Sequence, residues 1–472
     1  MKSVHVLGGG PAGLAAVHGM ALDRKIRFQL YERGPSLGGL AQTVVWQGVG
    51  AHDLGPHKIF TLDKGLERRV ESLLTPDDWL TRDKVSKIYM NGKFLPYPPS
   101  PLSLSGVFGI GKFAGMVWDY GWAQLASFVP GRAPPKTFEQ DLRRRVGRSL
   151  LDMLFAPIAR KLWGEPSDLD VKLSQGRVQT PSPFELIGRV LGIKGTSEFE
   201  ALTFRYPKGG LQRLWQAIEQ QSSSGGSFHR NSDVQRIEVA DGRVTAIRVV
   251  DKATGQETRH EVGPDDFVAS TLPLGLLPRL MPDVVGPEEA KLINDVLRLN
   301  DLLLVFLHYP KPSLFDDSWV FVPDPDIAFH RISEQESFDP GMTPNGTIVC
   351  CELMSGPHRP LAEKSDDELI EMAKAGVAKM GYASEQPAHA RVIRLPRSYP
   401  VFRPGYQEAL DKVLSRLDTV KNFRTIGRQG AFNYIGTLDA MDIGYGFARW
   451  LGAGEEAWTK ERARTSHYDV LD

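Results

Sequence analysis

Three glycines and one acid near the start of the chain have the types and the spacing to bind a dinucleotide. Gly8, Gly10 and Gly13 form a G-x-G-x-x-G run, and Glu32 stands nineteen residues beyond Gly13. In such a run the first glycine allows a tight turn, the second lets a pyrophosphate approach the backbone, and the third lets helix and strand pack closely. The phosphate charge then rests on a helix N-terminus, and the acid grips a ribose hydroxyl. A second glycine pair, Gly38-Gly39, follows Glu32-Arg33 and precedes Leu40. It lets the backbone pass tightly beside an extended cofactor, which nicotinamide enzymes rarely need. Far downstream, Gly427-Arg428 at a helix start makes another phosphate-facing turn, with Asp439 close behind it.

These residues need a particular scaffold. Val4, Val6 and Leu7 read as a strand, Leu14-Ala15-Ala16-Val17 as a helix of small residues, and residues 26 to 31 as a second strand ending in Glu32. Strand, glycine turn, helix and strand in that order predict an α/β nucleotide-binding domain with a parallel sheet. The sequence returns to this domain after a long interruption. Tyr206-Pro207-Lys208-Gly209-Gly210 leads a helix with Leu211, Leu214, Trp215 and Ile218 at core spacing, and Asp241-Gly242 turns a hairpin that contains Val234.

Between these blocks the pattern changes. Asn91-Gly92 predicts a hairpin, and Thr137-x-x-Gln140 predicts a capping box. That box opens a long helix with Leu142, Val146, Leu150, Leu154 and Ile158 on one face, kinked or ended at Pro157. Residues 302 to 307, 318 to 323, 328 to 332 and 347 to 351 read as strands, and Ser365-x-x-Glu368 caps a helix stopped by Gly381. Residues 1–85, 205–285 and 420–472 are therefore assigned to a discontinuous nucleotide-binding domain, and 86–204 and 286–419 to an α+β substrate domain.

Composition bounds the rest. In 472 residues that are 41% hydrophobic, Lys+Arg and Asp+Glu both number 57, so net charge indicates no nucleic-acid partner. The only cysteines, Cys350 and Cys351, are adjacent, which gives neither a disulfide framework nor a metal site. The most apolar stretch, 101 to 129, is interrupted by Gly109, Gly111, Lys112 and Asp119, too often for a membrane span. Buried helices are expected there, and membrane association is not. A chain whose first residues already form a strand leaves no room for a cleaved leader, so a cytoplasmic protein is expected.

The E-R-x4-G-G spacing of Glu32, Arg33, Gly38 and Gly39 resembles the flavoprotein superfamily of amine oxidases, protoporphyrinogen oxidases, phytoene desaturases and UDP-galactopyranose mutases. That resemblance implies FAD, bound in a Rossmann-type, GR2-like domain, with Val234 meeting the adenine through its backbone and Gly427-Arg428 meeting the pyrophosphate and ribityl chain. Further segments are similar to the eukaryotic-type mutases. Asp53-Leu54-Gly55-x-His57 matches a glycine-histidine loop that lies against their flavin. The R-V pair at Arg177, the Trp319-x-Phe321 motif with Arg331 ten residues on, the Tyr399-Pro400-Val401 segment and Tyr434 match positions that hold the substrate diphosphate in those enzymes. Phe321 departs from the pattern, because the mutases carry a tyrosine there. The resemblance implies a pyranose-furanose mutase-like enzyme on a nucleotide-diphosphate sugar, with reduced flavin as nucleophile and no metal. NAD(P)H is then a possible electron donor. An FAD-dependent oxidase or dehydrogenase of the amine oxidase or protoporphyrinogen oxidase type is the alternative.

Overall fold

The computed structural model describes residues 2–23, 26–178, 203–383, 385–451, 455–465 and 468, with the side chains of 23, 101, 177 and 455–457 outside that set. Its centre is a five-stranded parallel sheet in the spatial order Phe423–Thr425, Phe267–Ser270, Ser3–Leu7, Arg27–Tyr31, Gly226–His229. Such a sheet survives only if both faces are covered. On one face, Val4, Val6, Leu30 and Ala269 pack under helices Pro11–Asp23, Gln212–Ser222 and Thr437–Trp450. On the other, Leu7, Tyr31, Val268 and Phe423 pack under the antiparallel strands Ser232–Ala240, Arg243–Asp251 and Glu257–Glu261. Helices Pro287–Asp295 and Tyr406–Asp418 join this second core through Ile293, Leu410 and Val413. We therefore propose moving these two helices from the substrate segments to the nucleotide-binding ones.

A seven-stranded mixed sheet stands apart from the first. Its order is His389–Pro400, Leu299–Tyr309, Thr347–Ser355, Arg331–Glu334, Trp319–Phe321, Ser86–Met90, Lys93–Pro96. Every neighbouring pair is antiparallel except Trp319–Phe321 with Ser86–Met90. The two expected hairpins are present: Asn91-Gly92 has φ of 51° and 73°, and Asp241-Gly242 has 53° and 71°, the doubly positive geometry of a type I′ turn. Ser365 and Glu368 form their reciprocal capping box, with the Ser365 hydroxyl accepting at 3.2 Å and the Glu368 carboxylate at 2.9 Å.

Three expectations are corrected. Thr137 caps helix Phe138–Leu150 by accepting from the Gln140 amide, but Gln140 Oε1 reaches past it to the Lys136 amide, so no reciprocal box closes. The long helix breaks at Gly147, with φ 82°, and passes through a π-turn at Leu151–Phe155. A Cβ at Gly147 would sit 2.8 Å from the backbone of Asp119 on the crossing helix Ile110–Ser127, so the crossing sets the break. Pro157 lies further on, directly after that π-turn, which accommodates a residue without an N–H in a run that stays helical. Finally, residues 102 to 129 are mostly not buried. They form helices Pro101–Phe108 and Ile110–Ser127, and the second buries only Met116 and Ala123.

Candidate functional site

The glycine run separates into two kinds of position. A Cβ on Gly8, where φ is +103°, would lie 2.2 Å from Thr271 Oγ1, and one on Gly13 would lie 2.1 Å from the Gly8 carbonyl oxygen. Those two glycines are required by the chain's own packing. Gly10 is not, because a Cβ there would meet nothing closer than the Cα of Gly39 at 3.9 Å. The space beside it is bounded by a second bare backbone, since Gly38 N–H donates to the Gly9 carbonyl at 2.8 Å and holds the two loops together. Two side-chain-free backbones facing one another at a helix N-terminus form a cradle that fits a pyrophosphate.

Glu32 ends the strand Arg27–Tyr31, beside this cradle. One of its carboxylate oxygens accepts from the Gly9 amide and the other from the Gly34 amide, both at 2.8 Å. The acid thus ties the turn to the following loop, and each oxygen keeps a second lone pair for a hydroxyl. Arg33 is exposed and Leu40 partly exposed. Val234 sits next to a bulge, where the pairing shifts register between Val234 and Arg236, which frees the intervening backbone from the ladder. Asp439 accepts from the Gly436 amide at 2.8 Å and so caps helix Thr437–Trp450.

A second group of side chains gathers around His57. Its Nδ1 lies 3.0 Å from the Gly55 carbonyl oxygen. A carbonyl can only accept, so Nδ1 carries the proton and Nε2 is left as the acceptor. Burial, followed by the charges of Arg428 and then Arg331, pushes the imidazole down to about 4 against the opposing pull of the Gly55 bond. Both arginines therefore stand near a neutral histidine. The Arg428 guanidinium stacks 4.8 Å from the Tyr399 ring while donating to the Ile435 carbonyl, and Tyr399 packs on Tyr434 with centroids 5.3 Å apart. The Tyr434 hydroxyl accepts from Trp163 Nε1 at 3.3 Å, so the tyrosines rest on the helical segment.

Arg331 is built in differently. It lies opposite Phe321 in the antiparallel pair Trp319–Phe321 with Arg331–Glu334, so the ten-residue spacing reflects a strand register. Its guanidinium grips Glu352 in a bidentate pair at 2.5 and 2.9 Å. The Glu352 side chain is only 2% exposed. Glu352 was missed from sequence, although an acid inside the fully buried strand Thr347–Ser355 is itself a signal that a cation must face it. Phe321 turns into an apolar cluster with Ile88, Met90 and Leu95, its ring 5.0 Å from that of Tyr97. The side chain of Arg177 lies outside the described residues.

The loop carrying His57 is anchored by Asp53, also unassigned from sequence. The Asp53 carboxylate accepts from Thr43 at 2.5 Å and from the Tyr206 hydroxyl at 2.7 Å, and Gln335 Oε1 accepts from the Asp53 amide at 3.1 Å. Burial pushes this carboxyl up to about 6, with the bonds from Thr43, Tyr206 and the Leu211 amide pulling the other way. The two-stranded ribbon Thr43–Trp46 with Gly50–Asp53 is thus tied to the seven-stranded sheet: Asp53 and Gln335 join the loop to the segment after Arg331–Glu334, while Gly55 faces Glu352.

Residues 6–74 match the family model described as an NAD(P)-binding Rossmann-like domain. Over nearly the whole chain the structure superposes on that of reduced UDP-galactopyranose mutase with a TM-score of 0.81 at 21% identity, covering 100% of this chain and 98% of that one. A putative protoporphyrinogen oxidase from an Exiguobacterium species gives 0.72 at 18% identity, covering 96% and 99%. Cyclohexylamine oxidase from Brevibacterium oxydans gives 0.64 at 15%, covering 98% and 100%. The chain shares their fold. The expected Rossmann-type α/β architecture is borne out, and the likeness to both mutase and oxidases leaves the roles of individual residues to the geometry above.

Proposed function

We propose that the chain is an FAD-dependent enzyme acting on a nucleotide-diphosphate sugar, in the manner of a pyranose-furanose mutase. The observation that carries this reading is the convergence of Arg331, Arg428, Tyr399 and Tyr434 around a neutral His57, a cationic and hydroxyl-bearing wall suited to a diphosphate. The bare backbones at Gly10 and Gly39, with Glu32 beside them, would hold the FAD pyrophosphate and ribose, and Val234 the adenine. The full-length likeness to a UDP-galactopyranose mutase supports the same choice. Reduced flavin, when bound, supplies the nucleophile for the anomeric carbon. The protein's task is then to hold the diphosphate in line and to neutralise it as it leaves. Tyr399 and Tyr434 would offer hydroxyls to its oxygens and Arg331 positive charge, with Arg177 assigned there on the resemblance alone, while Gly427-Arg428 would face the FAD pyrophosphate and ribityl chain. His57 Nε2 offers an acceptor that stays unprotonated at neutral pH.

A second reading rests on one specific observation. Arg331 is already neutralised by Glu352, and Phe321 lacks the hydroxyl of the mutases, which leaves less positive charge and one donor fewer for a diphosphate. An FAD-dependent oxidase or dehydrogenase, which takes its electrons from the substrate, would tolerate both. The test is to reduce the FAD-loaded protein with dithionite and incubate it with UDP-, GDP- and TDP-hexoses. Pyranose-furanose interconversion without net oxidation is expected. No conversion across the panel, together with flavin reduction by an amine or a porphyrinogen, would replace the first reading by the second.

A further inference from the structure

The most unusual surface of the molecule lies on the helices that sequence analysis expected to be buried. Among the described residues, eight of the fourteen exposed large apolar side chains fall between Leu102 and Val129, so the exposure is concentrated in one place. Along helix Ile110–Ser127 and just past its end, Ile110, Val117, Trp118, Trp122, Leu125 and Phe128 all point outward, with Trp118 74%, Trp122 66% and Phe128 83% exposed. The usual amphipathic order is inverted: Met116 and Ala123 face the protein, and the bulkier apolar residues face away from it. Clusters of this kind on a monomer mark a contact surface.

The charges around it select the partner. From Lys84 to Trp118 the sequence contains no acid; of its four lysines Lys87 is neutralised by Asp317, and Lys93 and Lys112 lie with the two helices. Lys93 is anchored at the patch by donating to the Gly106 carbonyl at 2.7 Å, Lys112 is exposed in the first turn of the helix, and Arg132 and Lys136 are exposed beyond its end. The one acid of the helix, Asp119, is turned inward, accepting from the Ser149 amide at 3.1 Å and from its hydroxyl. A second copy docked here through a two-fold axis would set this basic rim against itself. An anionic bilayer would satisfy both features, with indole rings at headgroup depth and lysines and arginines against the phosphates.

We propose that the outward face of helix Ile110–Ser127, continued through Phe128, docks the protein on the surface of an anionic lipid bilayer, with the helix lying in the plane of the interface. No helix among the described residues is long and apolar enough to cross a membrane, so the attachment is peripheral. This inference is independent of the reaction proposed above. It is tested by sedimenting the full-length protein with vesicles of phosphatidylcholine, with and without phosphatidylglycerol. Co-sedimentation with the anionic vesicles is expected, weaker on phosphatidylcholine alone and in high salt. The double variant Trp118→Glu, Trp122→Glu should lower binding by about tenfold or more. Its melting temperature should stay unchanged, because both rings are outside the core. Lys112→Glu should weaken binding to the anionic vesicles alone. Absence of binding, or binding unaffected by the double variant, would overturn the proposal. So would a dimer in sedimentation velocity that the double variant dissociates, since a second copy would then cover the face.

Discussion

The proposed cofactor cradle and the wall around His57 are built on opposite principles. At Gly10 and Gly39 the structure offers missing atoms: two bare backbones, with the nearest approach to a Gly10 Cβ at 3.9 Å. At the wall it offers side chains that already have employment, Arg331 on Glu352, Arg428 on Ile435 and Tyr399, and Tyr434 on Trp163. A ligand entering the cradle at Gly10 meets backbone there and no side chain. One entering the wall must share donors that the protein uses internally, so recognition there depends on how firmly each internal bond is held. On the proposed function, binding a dinucleotide is thus separable from discriminating a substrate.

That contrast can be broken most forcefully at Arg331. Arg331→Leu leaves the Glu352 carboxylate buried without its bidentate partner, and the expected loss is about 3–5 kcal/mol in urea unfolding. Replacing both residues by leucine should recover much of it; if the single variant unfolds like wild type, the wall is not internally braced. Next in size is the pair of glycine substitutions. Gly8→Ala combines positive φ with a contact to Thr271 and should cost about 2–4 kcal/mol. Gly10→Ala should stay within about 0.5 kcal/mol, yet lower the FAD retained on gel filtration. Equal losses of stability at both positions would mean that the cradle is a packing device.

Smaller effects follow from the two shifted groups. Asp53 titrates near 6 in the fold against 3.8 ordinarily, so the native state holds a proton there that the unfolded chain has released. Its contribution to stability is full below about 4 and is lost as pH rises through about 6. Asp53→Asn should therefore gain on wild type across that window in thermal melts, and a constant difference would contradict the assigned shift. His57 has the opposite sign. Its folded value near 4 lies below the ordinary 6.5, so its contribution is present above 6.5 and lost as pH falls toward 4. In NMR, the imidazole resonance missing from His57→Asn should remain that of a neutral ring down to about pH 5.

Much of the scaffold was legible because it obeys local rules. The G-x-G-x-x-G turn, the hairpins at Asn91-Gly92 and Asp241-Gly242 and the cap at Ser365 each follow from the backbone preferences of a few adjacent residues. The helix break shows where such rules stop. Pro157 carries the stronger local signal, yet the chain breaks at Gly147 because the Asp119 backbone crosses there, and no window around residue 147 contains that information. The apolar stretch from 101 to 129 failed for a related reason: hydrophobicity reports the wish to leave water, not whether the protein supplies a cover.

By itself, then, the sequence determined the turn, helix and terminal acid on which dinucleotide binding is proposed, since all three come from one continuous segment of 32 residues. Only the tertiary structure decided the state of the groups around His57. The bond from Arg331 to Glu352 spans 21 residues, and the loop of His57 is tied through Asp53 to Gln335, 282 residues away. Charge neutralisation and burial depend on which distant atoms approach within a few ångströms, and spacing along the chain does not encode that distance.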